Sequence, residues 1–232
     1  MKIGILVCGH AIDEVAKTHG DYGDWFVTLL AGNGFTFEIY NVVDMEFPTG
    51  IGAADGWLLT GSRHGAYEDH AFIPPLEDFV REAYAASVPM VGVCFGHQLI
   101  AQALGGKVEK YKDGWAVGRQ EYIFDDHGDV ALNAWHQDQV KELPDGARVI
   151  AGNDFCKYAG LVYGDLIYTV QPHPEFTNPV MAEYIKLRRD PDVYDEAMMD
   201  HAAENTKRPN DDALLAREIA AFFRQPREAQ NG

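Results

Sequence analysis

Three residues carry the chemistry that this sequence offers. Cys94 sits in Pro-Met-Val-Gly-Val-Cys-Phe-Gly-His-Gln, where Gly92, Cys94 and Gly96 have the spacing of a strand that turns sharply into a helix and presents a nucleophile on the bend. Glycine is needed on both sides because a Cβ there would strike neighbouring backbone. A helix beginning just after the sulfur points its positive end at it, which favours thiolate over thiol. Such a nucleophile needs a base and a group to orient that base. Gln171-Pro172-His173-Pro174-Glu175-Phe176 supplies both. The two prolines keep the segment extended, so His173 and Glu175, two residues apart, project to the same side. The Glu175 carboxylate can then hold the ring nitrogen that His173 turns away from sulfur.

The elements that must position these groups follow from periodicity. Residues 2–8 read as a first strand, followed by a polar loop carrying His10, Asp13, His19 and Asp21. Trp25, Phe26, Leu29 and Leu30 recur at helical spacing, and Phe35, Phe37 and Ile39 alternate as a second strand. Residues 56–60 are a short buried strand that runs into the loop Gly61-Ser62-Arg63-His64-Gly65. After Pro74-Pro75, the positions Leu76, Phe79, Val80, Ala83 and Tyr84 mark an amphipathic helix. Strands alternating with helices of this length predict an α/β fold with a mostly parallel sheet covered on both faces.

Beyond Gly106 the pattern changes to strands and turns. Residues 107–124 and 147–151 read as β, and Tyr163-Gly164-Asp165-Leu166 as a hairpin turn between 157–162 and 167–171, adding antiparallel strands to the sheet. Asn178 is the expected cap of a helix with Pro179 in its first turn, and Leu214, Leu215, Ile219, Phe222 and Phe223 mark a last helix after Asp211-Asp212. Residues from Gln225 onward read as frayed. The expected division is a domain over 1–190 with a helical C-terminal extension, 191–232, of the same domain.

Composition narrows the partners. A formal charge of -17 repels phosphate backbones and anionic lipid, which argues against nucleic acid and membrane surfaces. No apolar run approaches the ~20 residues of a membrane helix. Cys8, Cys94 and Cys156 are odd in number and widely spaced, which argues against a disulfide framework and for the cytoplasm. Neither H-E-x-x-H nor C-x-x-C spacing occurs, so no metal and no cofactor are expected.

Taken together, the motifs resemble those of the class I glutamine amidotransferases. Gly92-Val93-Cys94-Phe95-Gly96-His97-Gln98 is similar to the family's nucleophile motif, and His173-Pro174-Glu175 to its His-x-Glu motif. His136-Gln137-Asp138-Gln139-Val140 is similar to its substrate-side segment, and Leu58-Leu59-Thr60-Gly61-Ser62 falls where the family has its oxyanion loop. The resemblance implies a flavodoxin-like fold with a Cys94-His173-Glu175 triad above the carboxyl ends of the strands. It implies oxyanion donors in the backbone N–H groups of Gly61, Ser62 and Phe95, and substrate contacts from Gln98, His136 and Gln137.

Many relatives have Gly-Gly-Pro where this chain has Gly61-Ser62-Arg63; Arg63 is therefore a candidate partner for a substrate carboxylate. The expected reaction is hydrolysis of the γ-amide of glutamine through a Cys94 thioester. Too short a stretch follows Glu175 for an acceptor domain, so ammonia would pass to a separate synthase subunit. The alternative is a stand-alone γ-glutamyl peptidase acting on γ-glutamyl amides or peptides. A non-catalytic binding module on the same fold is the third reading, and its signature, loss of a triad residue, is absent. A DJ-1-like protein also has a cysteine elbow, but its relatives tend to carry histidine where Phe95 stands.

Overall fold

A computed structural model of the chain describes residues 1–227. In chain order the elements are β1 (Lys2–Leu6), α1 (Asp13–His19), α2 (Tyr22–Leu29), β2 (Thr36–Tyr40), β3 (Gly56–Leu59), α3 (Ile73–Ala85), β4 (Met90–Val93) and α4 (Phe95–Ala103). There follow β5 (Lys107–Lys110), β6 (Ala116–Phe124), β7 (Gly128–His136), β8 (Asp138–Glu142), β9 (Ala147–Gly152), β10 (Gly160–Tyr163) and β11 (Ile167–Val170). Three helices end the chain: α5 (Asn178–Leu187), α6 (Glu196–Asn205) and α7 (Asp212–Arg224).

Nine strands form one sheet in the order β2-β1-β3-β4-β11-β10-β9-β6-β7. The pairs β2·β1, β1·β3, β3·β4 and β4·β11 are parallel, and the remaining four are antiparallel, so the expected α/β sheet with added antiparallel strands is what forms. Strands β5 and β8 make a separate antiparallel pair. Alternation along the central strands sends Leu58, Val91, Val93, Tyr168 and Val170 to one face and Trp57, Leu59, Met90 and Ile167 to the other. The first face is covered by α2, α5 and α7 through Trp25, Phe26, Met181, Leu215 and Ile219. The second is covered by α3 and α4 through Leu76, Phe79, Val80, Leu99 and Ile100. Each such side chain contributes about 1.5–3 kcal/mol on full burial.

Three expectations need correction. The polar loop after β1 contains α1, a short helix whose one fully buried side chain, Val15, gives it almost no apolar stripe. At the start of α5 the cap position is Thr177, and Asn178 instead ties chain segments together: its Nδ2 donates to Arg208 O, while its Oδ1 accepts from Asn133 and Asn210. The segment from Gln225 is not frayed as far as Arg227, because Gln225 Nε2 and Arg227 Nε both donate to Asp165 O at 2.9 Å. Residues 228–232 lie outside the described residues. Helix α6 lacks a readable stripe, yet it packs on β6 so closely that a Cβ at Gly118 would lie 2.7 Å from Ala202.

The hairpin turn forms as expected, closed by Leu166 N–H to Tyr163 O at 3.1 Å with Gly164 at φ +57°. What matters most for the site is the register of β3, β4 and β11. They run parallel and in step, Leu59 beside Gly92 and Val93 beside Val170. Their carboxyl ends therefore deliver Gly61, Cys94 and His173 to one edge of the sheet.

Candidate active site

Cys94 occupies the bend between β4 and α4 at φ 52° and ψ −101°, a strained conformation for a residue with a side chain. Close packing enforces it. A Cβ on Gly92 would come within 2.7 Å of Gly96 backbone, and one on Gly96 within 2.4 Å of Leu59 O, so the strand and helix meet where only hydrogens fit. Cys94 N–H donates to Val170 O and Gly96 N–H to Thr60 O, fastening the bend to both flanking strands. Phe95 opens α4, where the first-turn N–H groups have no partner within the helix. The other two thiols, Cys8 and Cys156, are buried and pushed up to about 12 by burial, and none of the three cysteines is paired.

His173 reaches the sulfur from the segment after β11. Its N–H donates to Asn133 O at 2.8 Å, which pins the backbone against β7. Its ring stacks on Phe176, with centroids 4.0 Å apart and planes at 15°, and Phe176 stacks in turn on Tyr184. Nδ1 is 2.6 Å from Glu175 Oε1, and both side chains are buried. Cys94 lines the same cavity as this ring, and its sulfur acts electrostatically on the imidazole. Burial by itself would lower the imidazole's pKa. The Glu175 carboxylate and the Cys94 sulfur together outweigh it and raise the group to about 10. The protonated imidazolium is thus the favoured state of His173.

The remaining candidates gather on the same cavity of about 280 Å³, which is lined by Ser62, Arg63, Cys94, Gln98, His136, Gln137 and His173. Gly61 packs closely against the His173 ring at Cε1. Gln98 Nε2 donates to Asp138 O and to Gln171 Oε1, which leaves its amide oxygen as the uncommitted polar atom. His136 is buried, and burial drives its pKa down to about 3, so it is a neutral imidazole beside the charged His173. Its Nε2 is buried and has no partner among the described residues. Gln137 Nε2 donates to Tyr111 O, and Arg63 is exposed on the rim.

Sequence reasoning missed half of this lining. Trp115 immediately precedes β6 and Trp135 lies near the end of β7, Tyr184 comes from α5 and Arg188 from just past it, Lys110 from β5, and Tyr22 from α2. Their only signal in sequence was the aromatic richness of the stretch around β6. The loop after β3 is latched across the cavity by Tyr67, whose hydroxyl donates to Asp138 Oδ1 at 3.0 Å. On that loop Glu68 Oε2 is 2.8 Å from His70 Nε2 and 3.7 Å from His64 Nδ1.

The arrangement can generate a thiolate, hold an imidazolium beside it, and present a helix N-terminus to an oxyanion. A family model described as glutamine amidotransferase class-I matches residues 34–188. Gamma-glutamyl peptidase 3 of Arabidopsis thaliana is 28% identical over 225 residues, covering 90% of each chain. The glutamine-hydrolyzing GMP synthase subunit of Methanopyrus kandleri is 40% identical over 108 residues, 40% of this chain and 55% of that protein. The crystal structure of a glutamine amido transferase from Methylobacillus flagellatus superposes with a TM-score of 0.75 at 21% identity, covering 100% of this chain and 98% of the other. No helix among the described residues is long and apolar enough to cross a membrane.

Proposed function

The chain belongs to the class I glutamine amidotransferase family, and we propose that it hydrolyses substituted γ-glutamyl amides through a Cys94 thioester. The observation that carries the reading is that Cys94 and His173, with Glu175 on the His173 ring, share one cavity whose lining also includes Trp115, Trp135, Lys110 and Arg188. Departing ammonia needs no such space. A leaving group with an apolar body and a carboxylate does, and Arg63, Lys110 and Arg188, on a lining that also carries Glu68 and Asp138, are candidate partners for that carboxylate.

The steps follow from the geometry. His173 holds the proton taken from Cys94, and the thiolate attacks the γ-carbonyl carbon. The oxyanion faces the N–H groups of Phe95 and of the Gly61-Ser62 loop. The C–N bond breaks as His173 passes its proton to the leaving amine, leaving a γ-glutamyl thioester. His173 then takes a proton from water, whose oxygen attacks the thioester. Glutamate leaves and the thiol is restored. Glu175 stays ionised and keeps the ring aligned. Gln98, His136, Gln137 and Arg63 are the proposed substrate contacts.

A second reading keeps the triad but takes free glutamine as donor and passes ammonia to a synthase subunit. It is favoured by the stretch similar to the GMP synthase of Methanopyrus kandleri. Assaying glutamate release from glutamine, γ-glutamyl anilides and γ-glutamyl dipeptides separates the two. Faster turnover of the substituted amides supports the peptidase reading. Activity on glutamine alone, or only after a synthase is added, overturns it.

A further inference from the structure

The loop that joins β3 to α3 carries a cluster the proposed reaction does not use. His64, Glu68 and His70 each offer one ligand atom, and these three atoms lie within 4.8 Å of one another. The two imidazole rings have centroids 4.0 Å apart, with Glu68 Oε2 between their inward nitrogens. From these positions we infer a binding site for a divalent late first-row transition metal, Zn²⁺ being the best fit, at the rim of the catalytic cavity.

The donor set selects the ion. Two imidazoles and one carboxylate suit zinc and its neighbours, whereas calcium and magnesium require mostly oxygen ligands. Metal–ligand bonds of about 2.0–2.2 Å place tetrahedral ligand atoms roughly 3.3 Å apart. The contacts to Glu68 Oε2, 2.8 Å from His70 and 3.7 Å from His64, bracket that spacing. All three ligand atoms lie within 4.8 Å of one another, so closing on an ion needs side-chain movement of up to about 1.5 Å, which the exposed Glu68 and half-buried histidines allow.

The backbone already holds the ligands in place. His64 N–H donates to Ser62 Oγ at 3.2 Å, Glu68 N–H to Gly65 O at 3.0 Å, His70 N–H to Glu68 O at 3.0 Å, and Ile73 N–H to His70 O at 3.0 Å. Phe72 backs both rings, with the His70 ring stacked on it at 24°. The chain's large negative charge draws divalent cations, and Arg63, beside His64 on the same loop, opposes them. The H-x-x-x-E-x-H spacing matches neither zinc spacing sought in the sequence, which is why no metal was expected from it. A metal here pins the loop that brings Gly61 and Ser62 over the site, and Phe72 relays that restraint to Phe95, whose ring centroid is 5.9 Å away.

The test uses the full chain with Cys94→Ala, so that the thiol cannot compete for metal. Titration calorimetry with ZnCl₂ is expected to show one equivalent bound and a raised Tm. Adding His70→Ala should weaken binding at least tenfold and remove the thermal shift; His70 lies outside the cavity lining, and its replacement leaves α3 intact by circular dichroism. Co²⁺ should give the intense visible bands of a tetrahedral site in Cys94→Ala, weakened by Glu68→Gln. Absence of binding, or binding of equal stoichiometry and affinity after His70→Ala, overturns the assignment whatever the substrate proves to be.

Discussion

Gly61 and His173 are so close that a Cβ on Gly61 would lie 2.7 Å from Cε1 of the imidazole and 3.2 Å from the Tyr22 ring. The glycine is required by the neighbouring ring and not by its own backbone angles. Gly61→Ala is therefore expected to fold and to push His173 off the sulfur. A displacement of about 1 Å at a reacting group costs on the order of 10²-fold in rate. The kcat for a γ-glutamyl amide should fall by about that factor, while Ser62→Ala, which keeps every backbone donor, should lose less than about tenfold. Equal losses in the two variants would mean that the loop contributes side-chain contacts and not a backbone fit.

Cys94 stores strain that glycine would release. At φ 52° and ψ −101° a side chain costs on the order of 1–3 kcal/mol, which glycine does not incur. Cys94→Ala and Cys94→Gly should both lower turnover by at least about 10³-fold. In urea unfolding Cys94→Gly should nevertheless be the more stable of the pair by roughly 1 kcal/mol or more. Equal midpoints would show that the bend is not strained.

How much of this was legible in the sequence depended on how local the signal was. The elbow could be read because its glycines, nucleophile and helix are contiguous, and Pro172-His173-Pro174-Glu175 because its prolines dictate the chain direction without tertiary help. Strand β7, which supplies Trp135 and His136, gave no alternation to read because it is buried along most of its length. Helices α1 and α6 bury too few side chains to leave a stripe. Trp115, Tyr184, Arg188 and Lys110 come from separate parts of the chain, so their convergence exists only after folding.

The His173 charge makes stability depend on pH in a defined direction. Its native value of about 10 lies above the ordinary value of about 6.5. Between those values the folded state binds more protons than the unfolded one, so the contribution is complete below about pH 6.5 and disappears as pH rises through about 10. Glu175→Gln removes the carboxylate partner and should flatten this decline. Unfolding free energies at pH 6.5 and 9.5 are expected to differ less in the variant, by roughly 1 kcal/mol or more. A decline of the same size in both proteins would assign it to other groups.

Asp212, in the first turn of α7, behaves in the same sense but over a lower window. Burial, followed by the charges of Glu175 and Asp211, raises its carboxyl to about 7. The folded state therefore retains a proton that the unfolded state has lost between about pH 4 and 7, and stability falls as pH rises across that window. Asp212→Asn should remove this penalty, stabilising the protein by roughly 1–3 kcal/mol at pH 8 and little at pH 4. A variant equally stable relative to the parent at both values would mean that the carboxyl titrates normally.

The proposed preference for substituted amides rests on Trp115, which lines the cavity just before β6 and packs its ring 5.0 Å from Tyr194. A ring at that position has no role in holding a leaving ammonia, but it gives an apolar or aromatic leaving group a surface to bury against. Losing such a contact costs about 1–3 kcal/mol, or 10–200-fold in discrimination. Trp115→Ala should thus lower kcat/KM for a γ-glutamyl anilide by at least about tenfold and leave that for glutamine within about twofold. If both fall together, the tryptophan is holding the cavity wall and not selecting the leaving group, and the free-glutamine reading becomes the better one.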